Sequence, residues 1–416
     1  MENIQEKASY CLNCPTKPCA TGCPLGNDIP SFIKEIKEGN YKKAYEILSE
    51  TTVLQPICGR ICPHMKQCRG KCVRGIKGEP VEIGELEAFI GDMALQNKWD
   101  IPKLEEESRK RIAIVGGGPA GLTSAAFLRR KGYNVTIYEK YDKLGGLLSH
   151  GIPDFRLPRD ILNQAIGKIL DLGIDVRYNC TLGKDLRLEE LKKEYDAVLL
   201  TIGANISAKM GIEGEDLIGV YGGNELLENN NHPNYKGKVV VVNGGGNTAM
   251  DTSRTINKMG AKKVYVVYRR AREQMPAEQK EIDEAISEGV EFLFQNNIVK
   301  IIGDKYVEKI ECIKTELIKV EGENRLKPVN IEGSNYEIPV DYVVMAIGAK
   351  PEEEVLKTLD LKRNKWGYIE TDENNRTSCE KVFCAGDISG ETSTVAWAAR
   401  SGRNASENID RYLKDM

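Results

Sequence analysis

Neither sign of charge dominates this chain. Its 59 basic residues stand against 62 acidic ones, so it offers no field to a polyanion, and nucleic acid is not expected as a partner. No apolar run approaches the ~18 residues that a membrane span needs. The opening MENIQEKASYCLNC has neither the basic nor the apolar stretch of a secretory leader. A cytoplasmic enzyme is expected, in a compartment where thiols stay reduced. Histidine is scarce: His64, His150 and His232 show no metal spacing, and His64 reads either as a plain loop residue or as one that tunes a neighbouring centre. No short-period repeat is present. No C-x2-C or C-x4-C redox pair adjoins a glycine-rich motif, which argues against a disulfide reductase.

Cysteine, by contrast, is abundant and concentrated. Eight of the twelve fall between Cys11 and Cys72, as Cys11-x2-Cys14-x4-Cys19-x3-Cys23 and Cys58-x3-Cys62-x5-Cys68-x3-Cys72. Cys23 and Cys62 are each followed by proline, as in ferredoxin-type runs whose closing cysteine often ligates the other cluster. The reading is two [4Fe-4S] clusters. A disulfide framework suits short secreted chains, and structural zinc favours paired C-x2-C knuckles that the other spacings do not supply. Zinc-filled clusters acting as an assembly platform stand as the non-redox alternative. Cys379 and Cys384 read as packing residues, and Cys180 and Cys312 as isolated.

With 416 residues the chain has room for two or three domains. Between the cysteine runs, Ile29, Phe32, Ile33 and Ile36, and then Tyr41, Ala44, Tyr45 and Leu48, recur with helical period. Asp28 and Pro30 sit where the first of these helices should begin. A third helix, about Ile83 to Asn97, carries Ile83, Leu86, Ile90 and Met93 on one stripe, and Glu87 falls on the same stripe. A carboxylate there either snorkels to the surface or has a reason to be buried. A charged stretch from Asp100 to Arg111 reads as a linker. Beyond it, strands alternate with helices, the pattern of doubly wound parallel sheets.

RIAIVGGGPAG places Gly116, Gly118 and Gly121 in G-x-G-x-x-G register after a strand, with Pro119 and Ala120 opening a helix. Such glycines allow a tight turn, close approach to a pyrophosphate and strand-helix packing. The strand after that helix ends in Glu139 and Lys140. Glu139 thus stands where a carboxylate holds ribose hydroxyls. Gly145-Gly146-Leu147-Leu148 follows it and suits the flavin side of a pocket. Much later, Gly386-Asp387 ends a strand and Thr394 precedes a helix of small residues. Asp387 suits a ribityl or phosphate-linking hydroxyl, and the helix start suits negative charge on a flavin. The nucleotide is therefore read as FAD, in a domain split by an insertion. That insertion opens with KVVVVNGGGNTAMD, placing Gly244, Gly246 and Ala249 in G-x-G-x-x-A register with Asn247 and Thr248 between them. Its partner strand ends in Arg269 and Arg270, where an NADH site would hold an acid. Arginines there, Arg272 among the candidates, suit a 2′-phosphate and favour NADPH; a solvated basic strand end is the alternative.

The motifs CxxCxxxxCxxxCP, CGRxCP, PVxIGxLE, GGGPAGL, GGLLxxGIPxFRLP, GGGNTAMD, YRRxRxxMPA and AGD, in this order, resemble the small chain of NADPH-dependent glutamate synthase and the matching half of dihydropyrimidine dehydrogenase. The resemblance spans nearly all of residues 5 to 412. It implies one cluster on Cys11, Cys14, Cys19 and Cys72 and another on Cys23, Cys62, Cys68 and Glu87, leaving Cys58 without one. Arg156, in the FRLP run, joins the FAD residues on the same ground. The expected architecture is α/β: a helical iron-sulfur domain over 1–105, an FAD domain over 106–235 and 341–416, and an inserted Rossmann-like NADPH domain over 236–340. The implied chemistry passes hydride from NADPH to FAD and single electrons through the clusters to a partner redox subunit. A ferredoxin, or a pyrimidine- or sulfur-reducing partner, is the alternative. The resemblance also implies that the substrate-transforming half lies on another protein.

Overall fold

The structure, a computed structural model, describes residues 2–102, 106–322 and 325–415; the expected linker falls partly outside them. The cysteine-bearing segment is helical, with Ile29–Lys37, Tyr41–Ser49, Gln55–Ile61 and Ile83–Gln96 as its main helices. Phe32, Ile33, Ile36, Tyr45, Leu48, Ile83, Leu86 and Ile90 form its apolar core, so the periodic stripes face one another as their spacing predicts. Asp28 stands at the N-cap of Ile29–Lys37, with the Lys17 ammonium on its carboxylate at 2.7 Å.

Two of these helices cross with almost no side chain between them. A Cβ on Gly59 would stand 2.3 Å from the Ala88 nitrogen, and one on Gly91 would stand 2.4 Å from the Pro56 nitrogen. A Cβ on Gly84 would meet the His64 ring at 2.4 Å. The glycines of CGRxCP and PVxIGxLE are therefore packing requirements: they let Gln55–Ile61, which carries Cys58 and leads into Cys62, lie backbone to backbone on the helix that carries Glu87.

The chain folds as two units, one comprising residues up to 204 together with 351 onward, the other residues 205–350. In the first, a parallel sheet runs in the order Val382–Cys384, Ala197–Leu200, Arg111–Val115, Asn134–Tyr138, Asp175–Arg177. The long C-terminal helix Val395–Lys414 packs on Pro119–Arg130 through Gly402, where a Cβ would lie 2.2 Å from the Ala120 carbonyl oxygen. The cysteine-bearing segment belongs to this same unit. Leu25, Val53, Leu54 and Ile57 share a core with Ile112, Leu122 and Phe383, and Arg130 and Arg403 reach across to backbone carbonyls of Ser49, Leu25 and Thr51.

The second unit holds its own parallel sheet, in the order Val220–Gly222, Tyr342–Met345, Val239–Asn243, Lys263–Tyr268, Glu291–Phe294. Beside it lie antiparallel strands Asn296–Ile302, Lys309–Ile318, Lys327–Asn330 and Tyr336–Pro339. Its limits are 205 and 350 rather than the expected 236 and 340. Val220–Gly222 and Tyr342–Met345, placed by the motif spacing in the FAD domain, hydrogen-bond into the second sheet. Among the described residues no helix is long and apolar enough to cross a membrane.

Candidate functional site

The eight N-terminal thiols form two neighbourhoods. Cys11 is pushed above its ordinary range by burial and by Cys72 and Cys14 beside it. Cys19 rises to about 11 through burial, with Cys11 and Cys72 adding to it. In the other group Cys23 rises to about 11, first by burial and then by Glu87. Cys62 is raised by a hydrogen bond with Cys58, by burial, and by the neighbouring Glu87 and Cys68. Cys68, well above its ordinary range, is raised by burial and by Cys23 and Glu87. Cys58, buried at 1% exposure, thus lies in the second neighbourhood, against Cys62.

Glu87 does not snorkel. It is 5% exposed, and burial pushes its carboxyl up to about 8 against the pull of a hydrogen bond from Asn27 Nδ2 at 3.3 Å. Asn27, itself buried, is oriented by Thr51, whose hydroxyl donates to Asn27 Oδ1 at 2.7 Å. A carboxyl crowded among thiols in an apolar interior has a high desolvation cost, and a positively charged iron centre would offset it. Among the described residues no three Cys, His, Asp or Glu side chains are grouped to hold one metal ion. A cluster distributes its ligands over four irons, and soft thiolates with one carboxylate, in two groups that adjoin where Cys19 bears on Cys68, fit that donor set.

The first glycine turn is built as its register requires. Gly116 has φ +107°, and a Cβ on Gly121 would stand 2.0 Å from the Gly116 carbonyl oxygen. Glu139 is buried beside this turn, its Oε2 accepting from Gly117 N–H at 2.8 Å and its Oε1 from Tyr141 N–H at 3.0 Å. Burial raises its carboxyl, with both amides lowering it. The second glycine pair comes to the first: Gly145 N–H donates to the Gly117 carbonyl at 2.8 Å, and Gly146, at φ +53°, leads into the short helix Leu147–His150. Gly386 approaches Ala120, whose Cβ would lie 3.0 Å from one built on the glycine. Asp387 is raised by burial to about 6 while Ser393 hydrogen-bonds it. Lys140 pairs with Glu352 at 3.9 Å, and Arg156 lies in the turn after Pro153, whose carbonyl accepts its amide.

Gln67 and Arg403 escaped the sequence reading. Thr394 caps Val395–Lys414, accepting from Trp397 N–H, and also accepts from Gln67 Nε2, each at 3.4 Å. Gln67 immediately precedes Cys68, so a hydrogen bond joins the cysteine loop to the helix start expected at the flavin. Arg403 donates to the Leu25 and Thr51 carbonyls at 2.9 and 2.6 Å, with Cys23 nearby. Both partnerships join the N-terminal segment to the C-terminal one, a separation that local patterning does not bridge.

In the second unit, a Cβ on Gly244 would meet the Ala346 carbonyl oxygen at 2.1 Å, while the space beside Gly246 is open. Asn247 Oδ1 accepts from Glu278 N–H at 3.1 Å; Thr248 follows it, half-buried, and Ala249 is buried. Arg269 and Arg270 follow strand Lys263–Tyr268, exposed and half-buried respectively. Arg272, half-buried, is ion-paired to Asp283. Cys384 is fully buried in a strand, as a packing residue should be, while Cys379 is half-buried.

Residues 110–402 match the family described as pyridine nucleotide-disulphide oxidoreductase. Residues 1–99 match the dihydropyrimidine dehydrogenase domain II, 4Fe-4S cluster family. The chain is 36% identical to the glutamate synthase [NADPH] small chain of Azospirillum brasilense, over 99% of its own length and 90% of that relative. It is 34% identical to the Escherichia coli small chain, over 98% and 91%. The NADP(+)-dependent formate dehydrogenase subunit beta of Moorella thermoacetica is 36% identical over 96% of this chain and 60% of that relative. Among solved structures, Mycobacterium tuberculosis FprA in complex with NADPH superposes with a TM-score of 0.67 at 20% identity, covering 74% of this chain and 85% of the other. Thioredoxin reductase of T. acidophilum gives 0.55 at 21% identity, covering 74% and 100%; these two likenesses concern the fold alone.

Proposed function

The chain belongs to the pyridine nucleotide-disulphide oxidoreductases and, among them, to the family of NADPH-dependent glutamate synthase small chains, and we propose that it is the electron-input subunit of a two-protein oxidoreductase. It is an NADPH-dependent FAD and iron-sulfur oxidoreductase. FAD, when bound, would supply hydride acceptance from NADPH, and two [4Fe-4S] clusters would supply one-electron transfer to a partner redox subunit. The chain's own residues bind and orient. Gly116, Gly118 and Gly121 would admit the FAD pyrophosphate, Glu139 would hold its ribose, and Asp387 and Thr394 would serve its ribityl and ring end. Gly244, Gly246 and Ala249 admit the coenzyme, with Arg269 and Arg270 at its 2′-phosphate. Cys11, Cys14, Cys19 and Cys72 hold one cluster, and Cys23, Cys62, Cys68 and Glu87 hold the other.

The observation that carries this reading is Glu87, a carboxyl buried among Cys23, Cys62 and Cys68. The partner is supported by relatives named as small chains or beta subunits. The test is anaerobic flavin bleaching with NADPH and with NADH. NADPH should bleach the flavin at much the lower concentration. A charged hydrogen bond contributes roughly 1.5 to 3 kcal/mol, so Arg270→Ala should weaken NADPH about ten- to a hundredfold and leave NADH nearly unchanged. Equal response to both coenzymes in wild type would refute the 2′-phosphate assignment.

A further inference from the structure

The coenzyme site read above relies on two arginines adjacent in sequence, and the structure gathers a third from a distant segment. Arg325 Nη2 donates to the Tyr268 hydroxyl at 3.2 Å and to the Gln274 carbonyl at 3.0 Å. Tyr268 is the last residue of its strand, and its own hydroxyl donates to the same carbonyl at 2.8 Å. The Tyr268 ring backs onto the glycine turn, where a Cβ on Gly245 would lie 2.5 Å from it. Arg325 is thereby tied to the strand end that precedes Arg269 and Arg270. Arg270 is held on the same side, its Nε donating to the Leu326 carbonyl at 3.1 Å. Burial, and then the Arg325 and Arg269 charges, draw the Arg270 guanidinium below its ordinary range.

Three like charges gathered at one strand end repel one another, and such an arrangement needs a counter-charge. Among the described residues none of the three is paired to a carboxylate, whereas Arg254 and Arg272, in the same unit, are bound to acids. Gln274, whose carbonyl anchors both Tyr268 and Arg325, keeps its side-chain oxygen buried without a hydrogen-bond partner. A compact dianion with several acceptor oxygens is what planar guanidinium donors recognise.

We propose that Arg325 is a third determinant of coenzyme choice, donating to the 2′-phosphate together with Arg269 and Arg270. The proposal rests on the NADPH reading of this site. It is tested on the full-length, FAD-loaded protein kept anaerobic, by calorimetric titration with 2′,5′-ADP and with 5′-AMP, alongside KM and kcat for NADPH and NADH with ferricyanide as acceptor. Arg325→Ala should weaken 2′,5′-ADP roughly tenfold or more, raise KM for NADPH correspondingly, and leave 5′-AMP and NADH within about twofold. Arg325→Lys, which keeps the charge and loses the fork, should fall between. FAD content and the NADH rate report that each variant is folded. If wild type prefers 2′,5′-ADP and both variants prefer it equally, Arg325 has no part in the choice. If Arg325→Ala loses both nucleotides alike, its role is structural and the proposal fails. If wild type itself binds 5′-AMP as tightly as 2′,5′-ADP, the NADPH reading fails and takes this inference with it.

Discussion

Glu87 illustrates how a single residue is decided by its surroundings. The helical period puts it on the apolar stripe of Ile83–Gln96, and period alone leaves open whether the side chain turns outward. The structure keeps it inside because that stripe faces Cys23, Cys62 and Cys68, elements separated from it in sequence. Glu87→Ala should change or abolish one of two cluster signals in electron paramagnetic resonance after dithionite reduction, with NADPH bleaching of the flavin unaltered. An unchanged spectrum would make Glu87 a buried bystander. Cys58 calls for the opposite test. It lies against Cys62, yet the resemblance implies no cluster for it, so Cys58→Ala should keep its iron while Cys62→Ala and Cys72→Ala each lose about half. Equal loss in all three would overturn the ligand sets. Residues such as Arg325, Gln67 and Arg403 were not legible because their roles come from tertiary neighbours and no local spacing marks them.

At the scale of elements, the strand-glycine-helix units were legible almost to the residue, since tight turns and buried parallel strands leave strong local signatures. Gly59 and Gly84 were visible as motif letters without a reason and Gly91 was in no motif; the reason for Gly59 and Gly91 is backbone contact. Gly59→Ala and Gly91→Ala should each separate Gln55–Ile61 from Ile83–Gln96, destabilise the fold by about 1–3 kcal/mol and lower the iron content; thermal melting and iron assay read both effects. Wild-type iron content and melting in these variants would show that the crossing tolerates a methyl. In the second unit, Arg254 is nearly buried on helix Asn247–Lys258 and binds Glu281, Glu284 and Glu288 at 2.5 to 2.8 Å. Its removal leaves three crowded, partly exposed carboxylates, so Arg254→Ala should cost roughly 2–4 kcal/mol. The Arg254 hydrogen bond, working against burial and joined by one from Lys258, holds Glu288 below the usual carboxylate range. Its stabilisation is therefore complete above the unfolded value of about 4.3 and is lost as pH falls through the lower folded value. Melting temperature against pH should drop on acidification below that point in wild type, and this contribution to the slope should shrink in Arg254→Ala. A variant with the wild-type profile would dismiss the network as a stabiliser.

For the whole molecule, sequence order revealed two nucleotide-binding folds and a cysteine-rich start, while the limits of the insertion depended on non-local pairing. Val220–Gly222 and Tyr342–Met345 lie far apart in sequence and meet only in the second sheet, so motif spacing placed the boundary inside that unit. The cysteine-bearing segment shares its core with the FAD-side sheet, which makes cluster loading and flavin binding properties of one folded body. Loss of the clusters should accordingly lower the melting temperature of the FAD-containing unit, measurable by calorimetry before and after anaerobic chelation. The central claim, a chain that carries one flavin and two four-iron clusters, is tested most directly by counting cofactors. Protein purified under strict anaerobiosis should contain about eight iron atoms, about eight acid-labile sulfides and one FAD per chain. Stoichiometric zinc without labile sulfide, or iron near four with all eight thiols intact, would contradict it.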